Sequence, residues 1–293
     1  LFRIAWPDIQ GPGADVLPRF RHFRPDTLED ALGLLEEHGP EARVMAGGTD
    51  LLVGMDDGSI CAGFLIDLKG IPRLSEITQS QDGLKLGACV TINRLLETDL
   101  LSGGYGAVRE AASRLATYQI RNRATLGGNL CNASPACDMG PPLLVLDARL
   151  KAVSSRGDRI IPLRDFFRDV KVTCCQPCEI ITEILIPPAE NTVSAFAKRT
   201  RIKGHDLALV NGAAACENGS GLRLALGAVS ATPVLIDGFG RSGLSDKQRI
   251  IDAVLGSISP IDDVRGSSRY RRSMVRFVVT SLLERLAEAS GGT

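Results

Sequence analysis

The chain has 293 residues, room for about two domains, and each half is long enough to bury its own core. Apolar residues make up 44% and charged residues 23%, the composition of a folded globular protein and not of a disordered one. Lys and Arg total 34 against 34 Asp and Glu, and aromatics are only 4%, so neither the basic footprint nor the stacking rings of a nucleic-acid binder are present. Any phosphate ligand must be held by local groups.

No run reaches the about 18 apolar residues of a membrane span. Residues 1–20 read as an extension, broken by Pro7, Gly11, Pro12 and Gly13, with no apolar stretch suited to secretion. The expectation is a cytoplasmic chain with its eight cysteines reduced. From there, Thr27 with Asp30 forms a capping-box pattern for a helix with Leu28, Leu32 and Leu35 on one face, stopped by Gly39-Pro40. ARVMA (42–46) is a buried strand running into GGTD (47–50), and FLIDL (64–68) a neighbouring strand, giving a small αβ-type unit.

Beyond residue 72 the pattern predicts a hairpin of 74–78 with 84–90, a helix over 105–118, and a second hairpin from PPLLVLDARLKAVSS through Arg156-Gly157-Asp158 to RIIPL. The RGD tripeptide is read as a tight turn in preference to an integrin-binding motif. EIITEILIP (179–187) is a strand, and Pro187-Pro188 marks a domain boundary. SAFAKRT, HDLALVNGAAACE and LRLALGAV predict three strands, the last two joined by a turn at 217–221. Helices follow near 246–257 and 267–289. Val275, Val278, Leu282 and Leu286 form an apolar stripe on the last helix, read first as core packing; the apolar surface of these helices and the N-terminal arm are also candidates for partner docking.

Two glycine turns carry the chemistry. Ala46-Gly47-Gly48-Thr49-Asp50 ends a strand, and paired glycines let a ligand approach while successive N–H groups share one concavity; a plain turn has the same composition. Thr125-Leu126-Gly127-Gly128-Asn129 repeats the make-up of a hydroxyl, two glycines and an amide, so the two turns suit the two phosphates of a pyrophosphate. A rival, Gly238-Phe239-Gly240-Arg241-Ser242-Gly243, spells G-x-G-x-x-G. It lacks the second parallel strand ending in an acidic residue that a dinucleotide fold needs, because the segment around Asp262 and Asp263 is no buried strand, and it reads as a flexible connector.

RVMAGGTDLLVGM (43–55) and QIRNRATLGGNLCNASPACDMGPPLLVLDARL (119–150) closely resemble the FAD-binding subunits of the xanthine dehydrogenase and carbon monoxide dehydrogenase family. EIITEILIP, KRTRIKGHDLALV (198–210) and SPIDDVRGSSRYRR (259–272) resemble later segments of that family in the same order. The resemblance implies an α+β fold: a two-lobed FAD domain of the vanillyl-alcohol oxidase and p-cresol methylhydroxylase type over 21–187, with lobes of about 21–71 and 72–187. A smaller C-terminal domain with a three-stranded antiparallel sheet plus helices then fills 188–293. It implies FAD with its pyrophosphate on both turns: Val44, Met45, Ala46, Gly47, Gly48, Thr49, Asp50 and Leu51 on the first, Thr125, Gly128 and Asn129 on the second, and Asp138 on the nucleotide portion. Ile181 and Lys198 match residues beside the flavin ring, where a positive charge favours the reduced anion; a solvated strand lysine is the other reading of Lys198. Leu115 stands where some relatives shield the flavin with an aromatic ring, with Tyr118 nearby. No catalytic acid or base is implied.

The resemblance also implies a heterotrimer, assembled as a dimer of heterotrimers, with a molybdenum–pterin subunit and a small subunit carrying [2Fe–2S] clusters. Electrons leave to NAD, a quinone, ferredoxin or oxygen. Some relatives insert four cysteines for an iron–sulfur cluster, and no such insertion is visible. Cys174, Cys175 and Cys178, with Cys131 and Cys137, form a poor tetrahedral set and read as structural. His22, His38 and His205 are too widely spaced for a ligand set. A self-sufficient flavoprotein oxidoreductase of the same fold and a flavin-free scaffold are the alternatives.

Overall fold

The computed structural model describes residues 18–202, 206–217, 221–240 and 246–290; most of the N-terminal extension, His205 and part of the 217–221 turn lie outside them. The chain opens with β1 (Arg21–Phe23), α1 (Leu28–His38), β2 (Ala42–Met45), α2 (Leu51–Asp56) and β3 (Phe64–Asp67). The strands form a parallel sheet in the order β1-β3-β2. Thr27 caps α1, its Oγ accepting from Asp30 N at 3.1 Å. Leu28, Leu32 and Leu35 then pack with Ile66 on one face of β3, while the next residue along, Leu65, packs with Met45 and Met55 on the other. This two-sided burial is what short parallel strands require.

Next come β4 (Ile77–Ser80), β5 (Gly83–Gly87), α3 (Ile92–Glu97), α4 (Gly106–Arg114), α5 (Tyr118–Arg121), α6 (Leu126–Cys131), α7 (Gly140–Val145), β6 (Arg149–Ser154), β7 (Gly157–Pro162), β8 (Phe167–Asp169), β9 (Val172–Thr173) and β10 (Ile180–Ile186). Five of the strands build an antiparallel sheet, β4-β5-β10-β6-β7, in which β10 joins two hairpins. Residues 72–75 form a 3-10 turn instead of the start of the first hairpin. Pro141 and Pro142 open α7, where a missing N–H costs nothing, so the strand expected from 141 starts only at Arg149. The hairpin turns at Ser155-Arg156, so of the RGD tripeptide only Arg156 lies in the turn; Gly157 (φ +129°) and Asp158 already belong to β7, and Asp158 pairs with Lys151 at 2.9 Å. The helix expected over 105–118 stops at Arg114, and Ala116 (φ +40°) breaks the chain before Thr117 caps α5.

The C-terminal sheet has four strands where the sequence predicts three: β11 (Thr192–Arg199), β12 (Val210–Glu217), β13 (Gly221–Gly227) and β14 (Val234–Phe239), antiparallel in that order. β14 is a half-exposed edge strand containing a glycine, which masked its pattern. The G-x-G-x-x-G run therefore begins inside an antiparallel edge strand, which no dinucleotide fold uses; residues 241–243 lie outside the described residues.

Two helices, α8 (Lys247–Gly256) and α9 (Ser268–Ser290), follow. Val275, Val278, Leu282 and Leu286 pack with Val210, Ala214 and Leu224 of the sheet, so this stripe is core and unavailable for docking a partner. The opposite face of β12 carries Ala213 and Ala215 into the core that α4 and α7 share. No described helix is long and apolar enough to cross a membrane.

Arg271 is 2% exposed and ties this region together, donating to the carbonyls of Leu209 (2.7 Å) and Ala228 (3.1 Å) and to Asp263 Oδ1 (2.8 Å). Burial works against the Asp263 carboxylate, but the N–H of Arg265 and the Arg271 and Arg265 guanidinium groups outweigh it and hold its pKa at about 2. A depressed carboxylate stabilises the fold above its unfolded pKa of about 3.9 and loses that contribution as pH falls through the folded value. Asp263→Asn should therefore flatten the loss of stability between about pH 4 and pH 2 relative to wild type. Urea unfolding at stepped pH measures this; parallel curves would refute it.

Candidate cofactor cleft

A cleft of about 620 Å³ opens where the parallel sheet, α6 and β11 meet. Its first wall is the turn between β2 and α2. Gly48 adopts φ +75°, and the backbone N–H groups of Gly47, Gly48, Thr49, Asp50 and Leu51 find no acceptor among the described residues. Lys69 anchors the turn from behind, its Nζ donating to Ala46 O at 2.7 Å and pairing with Asp67 at 2.8 Å. Gly47 abuts the chain entering the second wall: a Cβ there would lie 2.2 Å from Arg123 O.

The second glycine segment is not a matching open turn. Thr125 caps α6, accepting from Gly128 N at 3.1 Å, and the N–H groups of Leu126, Gly127 and Asn129 go to Val90 O, Ala88 O and Thr125 O, each at 2.9 Å. Gly127 is needed for packing, since a Cβ would lie 2.7 Å from that of Ala88. Thr-x-Gly-Gly-Asn reads equally as a helix cap, and that use consumes the backbone donors. Thr125 and Asn129 line the cleft, and the polar groups of their side chains are the donors that remain. Asn129 Oδ1 accepts from Cys137 Sγ (2.9 Å) and Met139 N (3.3 Å), which leaves Nδ2 as the end without an acceptor among the described residues. Asn132, at the far end of α6, reaches back to Asp50 Oδ1 at 2.9 Å and accepts from Lys171 Nζ at 2.6 Å, bridging both walls.

An apolar wall comes from Leu115, Ala116 and Ile120. Its shape depends on Arg121, whose guanidinium donates to the carbonyls of Ser113 (3.3 Å), Leu115 (3.1 Å) and Ala116 (3.1 Å) while Nε donates to Asn93 Oδ1 (3.1 Å). These bonds hold Ala116 in the left-handed region, which costs of order 1–3 kcal/mol for a non-glycine residue. Arg121 and Asn93 are missing from the sequence reading. Arg121 stood inside the QIRNR stretch, but nothing there shows that it gathers carbonyls from the preceding helix end.

The end of the cleft formed by β11 holds an ion pair. Lys198 Nζ meets Asp138 Oδ2 at 2.6 Å, and both side chains are nearly buried. Lys198 is therefore not a solvated strand lysine, nor is it an uncompensated charge. Burial pushes the Asp138 carboxyl up, while Lys198 and Asn211 pull it back toward the ionised form. Of the remaining predicted site residues, Val44 through Leu51, Leu115, Thr125, Gly128 and Asn129 line the cleft with this pair. Tyr118 and Ile181 do not. Tyr118 starts α5 facing outward, 59% exposed, and Ile181 is 5% exposed on β10, packed into the central core. Ile60, Asn132, Ser134, Asp206 and Leu207 also line the cleft without having been singled out in the sequence.

No group of three or more His, Cys, Asp or Glu among the described residues suits a metal ion. Burial pushes the thiols of Cys89 and Cys137 up to about 12 and that of Cys175 to about 11, as apolar packing does. The donor set instead suits a phosphate-bearing, partly aromatic cofactor: unpaired backbone N–H groups, a hydroxyl and an amide on one side, aliphatic side chains on the other.

The family model for the FAD-binding domain in molybdopterin dehydrogenase matches residues 18–189. The chain belongs to that family. It is 31% identical over 284 residues to the xanthine dehydrogenase FAD-binding subunit of Escherichia coli O157:H7, covering 92% of this chain and 97% of the relative. It is 30% identical over 279 residues to the carbon monoxide dehydrogenase medium chain of Hydrogenophaga pseudoflava, with 91% and 96% covered. Among solved structures, reconstituted CO dehydrogenase from Oligotropha carboxidovorans superposes with a TM-score of 0.86 at 28% identity, over 92% of this chain and 98% of that one. The fold of this FAD-binding subunit is thus the mixed helix-and-sheet fold of that medium chain. Its family match ends at residue 189, whereas Lys198 reaches the cleft from the sheet beyond.

Gly47 leaves no room for a side chain between the two walls of the FAD-binding subunit. Gly47→Ala should cost about 1–3 kcal/mol of stability, the range for a methyl forced into a packed interface, measured by chemical denaturation. Wild-type stability would disprove the contact.

Proposed function

We propose that this chain is the electron-transferring FAD subunit of a molybdenum-containing hydroxylase. The observation that carries the reading is the run of five unpaired N–H groups from Gly47 to Leu51, facing the Thr125 hydroxyl and the Asn129 amide across one cleft. In this reading, the backbone from Val44 to Leu51 holds one side of the pyrophosphate, with Thr125, Gly128 and Asn129 on the other. Leu115 packs beside the cofactor, and the Asp138–Lys198 pair forms the polar end of the site. FAD supplies redox chemistry that links one-electron donors to two-electron acceptors. The chain's own residues bind it, orient it and exclude water. No side chain is asked to move a proton, and Asp138 and Lys198, neutralised by each other, are poorly suited to do so.

The relatives are named as a FAD-binding subunit and a medium chain, which supports partner chains. In our reading these are a large molybdenum–pterin subunit and a small [2Fe–2S] subunit, assembled as a dimer of heterotrimers in the cytoplasm. Electrons enter from the clusters and leave to NAD, a quinone, ferredoxin or oxygen. The domains are a two-lobed FAD domain of the vanillyl-alcohol oxidase type at 21–187, near the end of the family match at 189, and a C-terminal domain at 188–293.

Purified full-length protein should be yellow and release FAD on denaturation. Thr125→Ala should weaken FAD binding by roughly tenfold, the effect of one lost hydrogen bond to a charged group, in a flavin-fluorescence titration. Colourless protein that takes up no added FAD would overturn the cofactor reading. A yellow chain that alone oxidises an organic substrate would overturn the subunit reading in favour of a self-sufficient flavoprotein.

A further inference from the structure

One buried polar group stands beside the cleft without lining it. Asn211 is fully buried on β12, directly across from Lys198 of β11 in the antiparallel register, so the two side chains share one face of the sheet. Asn211 Nδ2 donates to Asp138 Oδ1 at 2.8 Å and to Cys137 O at 3.2 Å. Asp138 Oδ2 takes the Lys198 ammonium at 2.6 Å, so each carboxylate oxygen has its own donor from the C-terminal sheet. The amide orientation carries a penalty: Asn211 Oδ1 is buried and has no hydrogen-bond partner. It lies over Gly227, where a Cβ would come within 2.2 Å of it. An orphaned buried acceptor is tolerated only where the other end of the amide does something worth more.

We infer that Asn211 is a positioning residue that locks the Asp138 carboxylate onto Lys198, so that the cleft meets a charge-compensated pair instead of a free cation. Lys198 has three N–H donors. One goes to Asp138 and one to Arg114 O at 3.2 Å, which leaves a single donor for a ligand. Asn211 thereby sets both the direction of that donor and the net charge around it. The inference rests on the reading that the cleft holds FAD with its redox-active ring at the Asp138–Lys198 end.

The charge a redox cofactor meets sets how readily it takes electrons. Loosening Asp138 exposes more of the Lys198 charge and favours the reduced, more negative cofactor; removing the lysine does the reverse. In the full-length FAD-loaded chain, Asn211→Ala and Asp138→Asn should each shift the reduction equilibrium of bound FAD toward the reduced form. A tenfold shift corresponds to ~30 mV for a two-electron couple. Lys198→Gln should shift it the opposite way. Midpoint potentials are read by dye-coupled titration, and thermal unfolding of the apo chains is recorded in parallel. If Asn211→Ala does not fold, Asn211→Leu, which keeps the volume and lacks the donor, takes its place. A loss of thermal stability with an unchanged potential would show that Asn211 only packs, and would overturn the inference while leaving FAD binding intact. A wild-type chain that takes up no FAD removes the reading beneath it, and that result is visible before any variant is made.

Discussion

The contact between the α-carbon of Gly47 and the carbonyl of Arg123 fixes how far the parallel-sheet unit and the antiparallel unit stand apart. Everything that lines the cleft is placed relative to it. It brings the β2–α2 turn within reach of the segment that leads into α6, and the Asp50–Asn132–Lys171 chain of hydrogen bonds continues the same seam at the surface. A side chain at position 47 would push the two walls apart, and donors arranged to converge on one ligand would no longer do so.

The two walls then divide the labour of binding an anion. On the first, the backbone is left unsatisfied by the protein itself; on the second, the N–H groups of Leu126 to Asn129 are all paired and side chains do the work. Unpaired N–H groups carry a desolvation cost, so a turn with five of them is stable only if something accepts from them, water or ligand. That local arrangement answers the composition: a chain with no net charge has no long-range field to draw in a phosphate.

Much of this was legible in the sequence, because local chemistry dictated it. Gly47-Gly48-Thr49 announced a strand-ending turn with φ > 0, and Thr27 and Val275 through Leu286 announced a cap and a buried helix face. The misreadings came from residues with two uses. Thr125, Gly127 and Asn129 looked like a second open turn with free N–H groups, but a helix cap uses the same letters, and only tertiary contacts with Ala88 and Val90 show where those N–H groups go. β14 escaped because an edge strand buries little and its glycine resembles a loop. Arg121 and Asn211 were invisible for a deeper reason. Their partners lie on other elements, and no spacing along the chain encodes which carbonyl or carboxylate a side chain will meet.

The alanine-rich strand β12 shows why the C-terminal sheet belongs to the cofactor site and is not an appendage. Ala213 and Ala215 are small enough to let the sheet lie directly on the core shared with α4 and α7, and Glu110 and Arg285 fasten β11 there through the backbone of Phe196. Only at that distance can Lys198 and Asn211 reach Asp138. Burial pushes the Asp138 carboxyl toward its protonated form, and the Lys198 ammonium opposes that push. Since breaking a buried pair leaves an uncompensated charge, the pair also resists any motion of the sheet away from the cleft. The interaction that sets the electrostatics of the site is therefore also one that holds its last wall in place.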